Sequence, residues 1–237
     1  MSNILSPTNS IIELTARMQE KKRFAFINIS RTAMYAVNGN TEKKPPKFIL
    51  KALEKCMSIE DPLFLKAIPS EFAEDIKNGV FTKFGLKNNY NYCDAGMFDH
   101  YFNNKKEVID IFVNHYIKDS NNIVLSFHDK KTIQKIFGSN QHIISVPYNS
   151  YYDKIDSIYD QIAEFDGKVD SCIMDCPLLA TAIAPKIWEN LSMSIIDFGK
   201  IVTSTKMSEP NGRSRFNDSG DRNNNRRFAN SKSYEKR

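Results

Sequence analysis

Short apolar strands alternate with amphipathic helices along most of this chain, and this order constrains the fold more than any other feature of the sequence. The predicted strands are Arg23–Ser30, Pro62–Ile68, Ile123–Phe127, His142–Val146, Val169–Met174 and Met193–Phe198. The predicted helices are Asn9–Lys21, Pro45–Met57, Ser70–Lys77, Met97–Ile117, Lys130–Phe137, Tyr151–Phe165 and Leu178–Asn190. Strands that alternate with helices join through right-handed crossovers into a parallel sheet. We therefore predict an α/β fold, with a Rossmann-like, mostly parallel sheet flanked by helices.

The charges divide the chain into two parts. The net charge is +5, from 33 Lys and Arg against 28 Asp and Glu. Residues 206–237 hold nine basic and four acidic residues, so they carry the whole excess, and residues 1–205 hold 24 of each kind. The last segment is rich in Asn, Ser and Arg, a composition that buries too little apolar surface to offset the entropy of ordering. We predict a single domain, 1–205, followed by a disordered basic tail, 206–237.

Two interpretations of the tail stay open. It is either a solubilising extension or a flexible arm that binds DNA or another nucleic acid through counterion release at phosphates. The spaced arginines with interleaved Phe216, Phe228 and Tyr234 suit the second interpretation, because bases stack on aromatic rings.

The cysteine pattern and the lack of long apolar segments favour a cytoplasmic protein. Four scattered cysteines are too few for a disulfide framework. Cys172 and Cys176 have a C-x3-C spacing with no second pair, so we expect buried thiols and no metal site. The first residues, MSNILSPTNS, do not resemble a signal peptide, and no run approaches the roughly 18 apolar residues of a membrane span.

Polar residues follow several predicted strands at their carboxyl ends, the edge at which open parallel sheets bind ligands. The helix after Cys176 offers backbone N–H groups to a diphosphate, and Arg31 and Lys200 could neutralise its charge. Any one such residue could instead cap a helix or solvate a loop. Their number on one edge favours a pocket for a phosphorylated ligand. The predicted donor-binding residues are Arg31, Ser126, His128, Tyr148, Asn149, Cys176, Thr181, Asp197 and Lys200.

Asp94 and Asp99 lie at the start of the long predicted helix. They could stabilise the N-terminus of that helix through its dipole. Alternatively, one of them is a catalytic general base, with Tyr90 and Tyr92 as a stacking surface for an acceptor.

The second half of the chain resembles the GT-D-type glycosyltransferases, bacterial enzymes that move a sugar from a nucleotide-sugar donor. IQKIFGSNQHIISVPYNSYYDKIDSIYDQI is similar to the family's run from helix to strand, proline, Asn and helix. CIMDCPLLATAIAPKIWENL stands at the family's Gly-Pro-x-Ala turn; it retains Pro177 and has Cys176 in place of glycine. IIDFGK retains Asp197 and Gly199 of an Asp-x-Gly-His motif and has Lys200 in place of histidine.

The first half departs from the family's Arg-Phe-Gly-Asp-x-Glu motif, whose carboxylates bind metal and the donor diphosphate. Here FAFINIS leads into Arg31-Thr32-Ala33-Met34, which retains an arginine and no acid. The resemblance therefore leaves open whether a divalent cation (Mn²⁺ or Mg²⁺) accompanies the donor. Without one, Arg31 and Lys200 would replace it at the diphosphate.

The resemblance implies a glycosyltransferase that uses a nucleotide-sugar donor. The diphosphate would bind the turn Cys176–Thr181, Asn149 and Asp197 would contact donor hydroxyls, and Asp94 or Asp99 would deprotonate the acceptor. The Asn-, Lys- and Ile-rich composition and the basic tail suit a bacteriophage or an AT-rich host, where the acceptor could be a hydroxymethylated base in DNA. The alternatives are a non-catalytic nucleotide-binding module on a decayed transferase fold and a nucleic-acid-binding protein that acts through its tail.

Overall fold

A computed structural model of the protein describes residues 4–40, 45–147 and 151–199. The strands are β1 (Ala25–Asn28), β2 (Phe64–Ile68), β3 (Cys93–Asp94), β4 (Asn122–Ser126), β5 (His142–Ser145), β6 (Ser171–Asp175) and β7 (Ser194–Asp197). The helices are α1 (Pro7–Gln19), α2 (Arg31–Val37), α3 (Lys47–Ser58), α4 (Ala73–Lys77), α5 (Met97–Asn104), α6 (Lys106–Tyr116), α7 (Lys130–Phe137), α8 (Ile155–Ala163) and α9 (Pro177–Asn190). Tyr148, Asn149, Lys200 and the predicted tail lie outside the described residues, so the domain boundary stays a prediction.

The strands form one sheet in the order β3-β2-β1-β7-β6-β4-β5. Every described pair of neighbouring strands is parallel. The predicted α/β class with a parallel sheet is confirmed. No helix in the described part of the chain is long and apolar enough to cross a membrane.

Helices cover both faces of the sheet. On one face, Ile173 and Ile196 pack in a core with residues of α1, α5, α6 and α7. On the other face, Cys172 and Ile195 pack with residues of α3, α8 and α9. Because both faces are buried, the central strands are continuous apolar runs and do not alternate between apolar and polar residues.

The carboxyl ends of β4 and β6 flank a topological switch point. These strands are neighbours, but α7, which follows β4, belongs to one core, and α9, which follows β6, belongs to the other. The chain therefore leaves the two strands toward opposite faces. In open α/β sheets a crevice forms at such a point and binds the ligand.

The structure corrects the prediction of one helix over Met97–Ile117. α5 ends at Asn104, and α6 begins after Lys105, whose φ of −150° and ψ of 62° are not helical. Asn103 and Asn104 favour this break, because asparagine side chains compete for backbone hydrogen bonds.

Two elements were not predicted. α2 begins after Ser30, whose side chain accepts a hydrogen bond from the backbone N–H of Ala33. β3 has only two residues and pairs with Ala67 and Ile68 of β2. Neither segment is long enough for its apolar spacing to show a period. The helix predicted from Pro45 begins at Lys47, with Pro46 at its N-cap.

Gly85 packs against the end of α3, and we expect Gly85→Ala to be markedly destabilising. Its φ is +90°, and an added Cβ would lie 2.4 Å from the Cα of Ser58. Gly167→Ala is the matched control, since its φ is +70° with nothing within 4 Å of the added Cβ. Both variants carry the cost of a left-handed alanine, so the contact with Ser58 should account for a difference of about 2 kcal/mol in the free energy of unfolding. Denaturant titration measures it, and equal losses would contradict the close contact.

Candidate functional site

Three polar residues meet at the carboxyl ends of β4 and β6; we call Ser126, His128 and Asp175 the switch-point cluster. Ser126 and Asp175 are register partners, so their side chains lie on the same face of the sheet. Ser126 Oγ donates a hydrogen bond to Asp175 Oδ2 at 2.9 Å. The backbone N–H of His128 donates to Ser126 Oγ at 3.1 Å. Nε2 of His128 lies 3.7 Å from the same Oδ2 of Asp175.

The switch-point cluster is almost entirely shielded from water. The side chains of His128 and Asp175 are 10% and 1% exposed, and Ser126 is fully buried. A buried carboxylate is costly unless polar partners hold it, and Ser126 supplies one such partner. The residue after His128 is also held in place. Asp129 caps α7 by accepting a hydrogen bond from the backbone N–H of Thr132 at 2.9 Å.

A second buried carboxylate, Asp197, ends β7. Its Oδ2 accepts a hydrogen bond from the backbone N–H of Asn28 at 3.2 Å, and its Oδ1 accepts one from Gly199 at 2.9 Å. Burial raises the pKa of Asp197 well above its usual range, and the charge of Asp175 acts in the same direction. Because Met174 and not Asp175 is its register partner, Asp197 faces the opposite side of the sheet from Asp175.

Cys176 and Thr181 lie at the start of α9, and both side chains are buried. Burial, with the nearby charges of Asp197 and Asp175, raises the pKa of the Cys176 thiol well above its usual value. Thr181 Oγ1 donates to the carbonyl of Pro177 at 3.0 Å. These side chains are therefore packed inside the protein, and a ligand at this turn would meet the backbone of α9. Their contact with a donor stays a prediction.

Arg31, Asp94 and Asp99 lie on the other half of the sheet edge. Arg31 is the first residue of α2 and is exposed, with its Nη2 2.6 Å from Oε2 of Glu71. Asp94 ends β3, and its Oδ1 accepts a hydrogen bond from the backbone N–H of Gly96 at 2.6 Å. Partial burial raises the pKa of Asp94, whereas Asp99 is exposed in the first turn of α5.

Of the predicted residues, the structure thus brings Ser126 and His128 together in the switch-point cluster, and it brings Asp197 and Thr181 together at Asn28, whose backbone N–H and carbonyl they hydrogen-bond. The strands β2, β1 and β7 separate β3, which carries Asp94, from β6. Asp175 was not among the predicted site residues, although it ends an apolar strand in the same way as Asp197. Its position at the end of an apolar strand was the signal in the sequence that could have identified it. Its pairing with Ser126 depends on the strand order, which the sequence does not display.

Tyr90 and Tyr92 line a groove of about 370 Å³ on the amino-terminal side of β2 and β3, with Lys66 and Arg17. Tyr92 is buried, and its hydroxyl donates to the carbonyl of Lys87 at 3.0 Å. Burial raises the pKa of Tyr92 to about 12. Asp94 itself is not part of the lining of this groove, although the preceding Cys93 is.

Within the described residues, no group of three or more His, Cys, Asp or Glu side chains is arranged to hold a metal ion. The residues that the structure describes therefore do not fit a protein-held metal site.

Comparisons with known proteins connect this fold to glycosyltransferases. No family model and no curated protein matches the sequence. A glycosyltransferase (DUF1792) from Streptococcus sanguinis superimposes with a TM-score of 0.63 at 13% identity, over 87% of this chain and 84% of its own. A structure of the conserved domain of unknown function 1792, described as a distinct glycosyltransferase fold, superimposes with a TM-score of 0.59 at 12% identity, over 86% and 80%.

The chain has the fold of these two glycosyltransferases. The fold implied by the GT-D resemblance is thereby confirmed over most of the chain. At 12–13% identity the likeness concerns the fold, so the roles of individual residues rest on the geometry described above.

Proposed function

We propose that this protein is a glycosyltransferase that moves a sugar from a nucleotide-sugar donor to a hydroxyl acceptor. One observation carries the proposal: 87% of the chain superimposes on a glycosyltransferase structure with a TM-score of 0.63. The polar residues at the carboxyl edge of the sheet support it, because ligands of open α/β sheets bind at this edge. Fold alone does not establish an activity, and the chemistry of the edge therefore has to be tested directly.

The donor diphosphate is proposed to bind near the ends of β1 and β7. α9 packs against both strands, and the amino end of a helix favours an anion through its dipole and its backbone N–H groups. Arg31 supplies a positive charge after β1, where it pairs with the half-exposed Glu71. An exposed ion pair contributes only about 0–1 kcal/mol, so a diphosphate can replace Glu71 as the partner of Arg31.

The donor is testable by thermal denaturation of the full chain with UDP-, GDP-, TDP- and ADP-sugars and the corresponding nucleoside diphosphates, each with and without Mn²⁺. We expect one nucleotide class to raise the Tm, since a ligand at 100 times its Kd stabilises the folded state by about 2.7 kcal/mol. Arg31→Ala should reduce this stabilisation. Lys55→Ala is the matched control, because it removes another exposed ion pair, with Glu189, at the carboxyl end of α3. A folded protein that none of these ligands stabilises would contradict the proposal.

A second candidate function is nucleotide binding without transfer. The observation that favours it is the lack of a metal-holding acidic cluster within the described residues. Release of nucleoside diphosphate from a bound nucleotide sugar distinguishes the two functions, because only the transferase releases it.

The acceptor is a separate proposal that concerns the basic tail. The +5 charge of residues 206–237 would attract the phosphates of DNA. We propose hydroxymethylated DNA as the acceptor, because its modified bases carry the hydroxyl group that the transfer needs. Transfer to such DNA should weaken as salt rises and when Arg226 and Arg227 are replaced by Gln. Transfer that is insensitive to both changes would exclude the role of the tail.

A further inference from the structure

We infer that His128 is the catalytic base that takes the proton from the acceptor hydroxyl, and that Asp175 and Ser126 are positioning residues for it. The inference rests on the proposed glycosyl transfer and assigns the base within it. It replaces the expectation that Asp94 or Asp99 has this role.

The position of His128 in the fold supports this role. His128 lies in the loop after β4, and Asp175 ends β6, so the pair flanks the switch point at which α/β folds bind ligands. His128 retains 10% exposure in its side chain, whereas Asp175 has 1%. His128 is therefore the more accessible member of the pair, which an acceptor would reach from the surface.

The hydrogen bonds of Ser126 orient His128 relative to Asp175. Ser126 Oγ donates to Oδ2 of Asp175 at 2.9 Å and accepts from the backbone N–H of His128 at 3.1 Å. One hydroxyl thus connects the carboxylate with the backbone of the residue that carries the base. Nε2 of His128 faces the same carboxylate oxygen at 3.7 Å. This distance is longer than a hydrogen bond, and such contacts often tighten only in the complex with substrate.

The charge of Asp175 also supports a base at His128. With Nε2–H directed at Asp175, the lone pair of the neutral ring is on Nδ1, which accepts the proton. The imidazolium that results is stabilised by the carboxylate of Asp175, in the way that a buried Asp supports a histidine base in hydrolases. Asp99, by comparison, is exposed to water, and Oδ1 of Asp94 is engaged by Gly96 at the start of α5.

The acceptor O–H bond breaks, and its proton moves to Nδ1 of His128. The acceptor oxygen forms a bond to the anomeric carbon of the donor. The bond from that carbon to the diphosphate oxygen breaks, and the nucleoside diphosphate leaves with the electron pair. Water in place of the acceptor gives the free sugar by the same step.

The test uses the full chain and the nucleotide sugar that binds in the thermal experiment, with water as the acceptor. We expect His128→Gln to slow the release of nucleoside diphosphate by about 100-fold or more, the usual contribution of a general base. The donor Kd should stay unchanged. Asp175→Asn should slow release less, with donor Kd again unchanged. Added imidazole should restore part of the rate of His128→Ala. The matched control is His115→Gln, which changes an exposed histidine of α6.

The results of these experiments distinguish a failure of the proposed function from a failure of the role inferred for His128. If the wild-type protein binds no nucleotide sugar, the proposed function fails. If it binds and releases nucleoside diphosphate, and His128→Gln does so at the same rate, the inference on His128 is wrong. Where the release of nucleoside diphosphate is too slow to compare, a ¹⁵N NMR spectrum of the free protein tests the role of His128. A neutral His128 ring protonated at Nε2 supports the inference, and one protonated at Nδ1 overturns it.

Discussion

Phe198→Ala is expected to lower the free energy of unfolding by about 3–5 kcal/mol, the usual cost of removing a large buried ring. Phe198 is 1% exposed. Its ring stacks on Phe98 at a centroid distance of 4.5 Å and lies 5.4 Å from Phe137. Phe198 directly follows β7, so these contacts join the end of that strand to α5 and α7, and the cavity left by alanine would lie between three elements that cannot all move inward.

Ile111→Ala is the control for this prediction, because Ile111 of α6 is 66% exposed. Surface substitutions of this kind change stability by no more than about 0.5 kcal/mol. Urea denaturation of both variants measures the difference. Similar losses in the two variants would show that Phe198 does not hold the helices α5 and α7 against β7.

Lys66→Met is expected to remove a pH dependence of stability that the wild-type protein has in alkaline solution. Lys66 is buried in β2, and its Nζ donates to the carbonyl of Met57. Burial lowers the pKa of Lys66 from 10.5 to about 8. The folded state therefore disfavours the charged amine, and this cost is present in full below pH 8.

The direction of this pH dependence follows from the number of protons that the folded and unfolded states bind. Between about pH 8 and 10.5 the unfolded chain holds the proton of Lys66 and the folded chain does not, so stability rises with pH. Relative to Lys66→Met, the wild-type protein should gain about 3 kcal/mol over this window. Lys51→Met, at an exposed position of α3, controls for the loss of one positive charge. Denaturation at pH 7, 9 and 10.5 measures the gain, and a constant difference between wild type and Lys66→Met would contradict the burial of a charged amine.

Local signals in the sequence were sufficient for most of the helices and strands. α7 has the bounds that were predicted, Lys130–Phe137, because Asp129 caps its start and Gly138 follows its end. The break at Lys105 was not predicted, because the apolar spacing continues through it. β3 was not predicted, because two residues are too few to show a period and only their pairing with β2 makes them a strand.

The candidate site was predicted in part. Ser126 ends β4 and His128 lies just after it, at the carboxyl edge where the predicted strand Ile123–Phe127 placed them. Arg31 follows β1 and Asp94 ends β3 at the same edge, but β1 and β3 lie on the other side of β7 from β6. The direction of a strand is enough to show that its last residues lie at this edge. Which of these residues are close to one another depends on the order of the strands.

The spacing of apolar and polar residues along the chain was enough to specify the α/β class, the parallel sheet and the edge at which its polar residues collect. Those properties depend on neighbours within one turn of helix or a few residues of strand. The strand order β3-β2-β1-β7-β6-β4-β5 was decided only in the tertiary structure. It makes β4 and β6 neighbours although 44 residues separate Ser126 from Ser171, and it places Asp175 within 2.9 Å of Ser126. Such a pairing follows from how the helices on the two faces pack against the sheet, because no local pattern records which strands become neighbours.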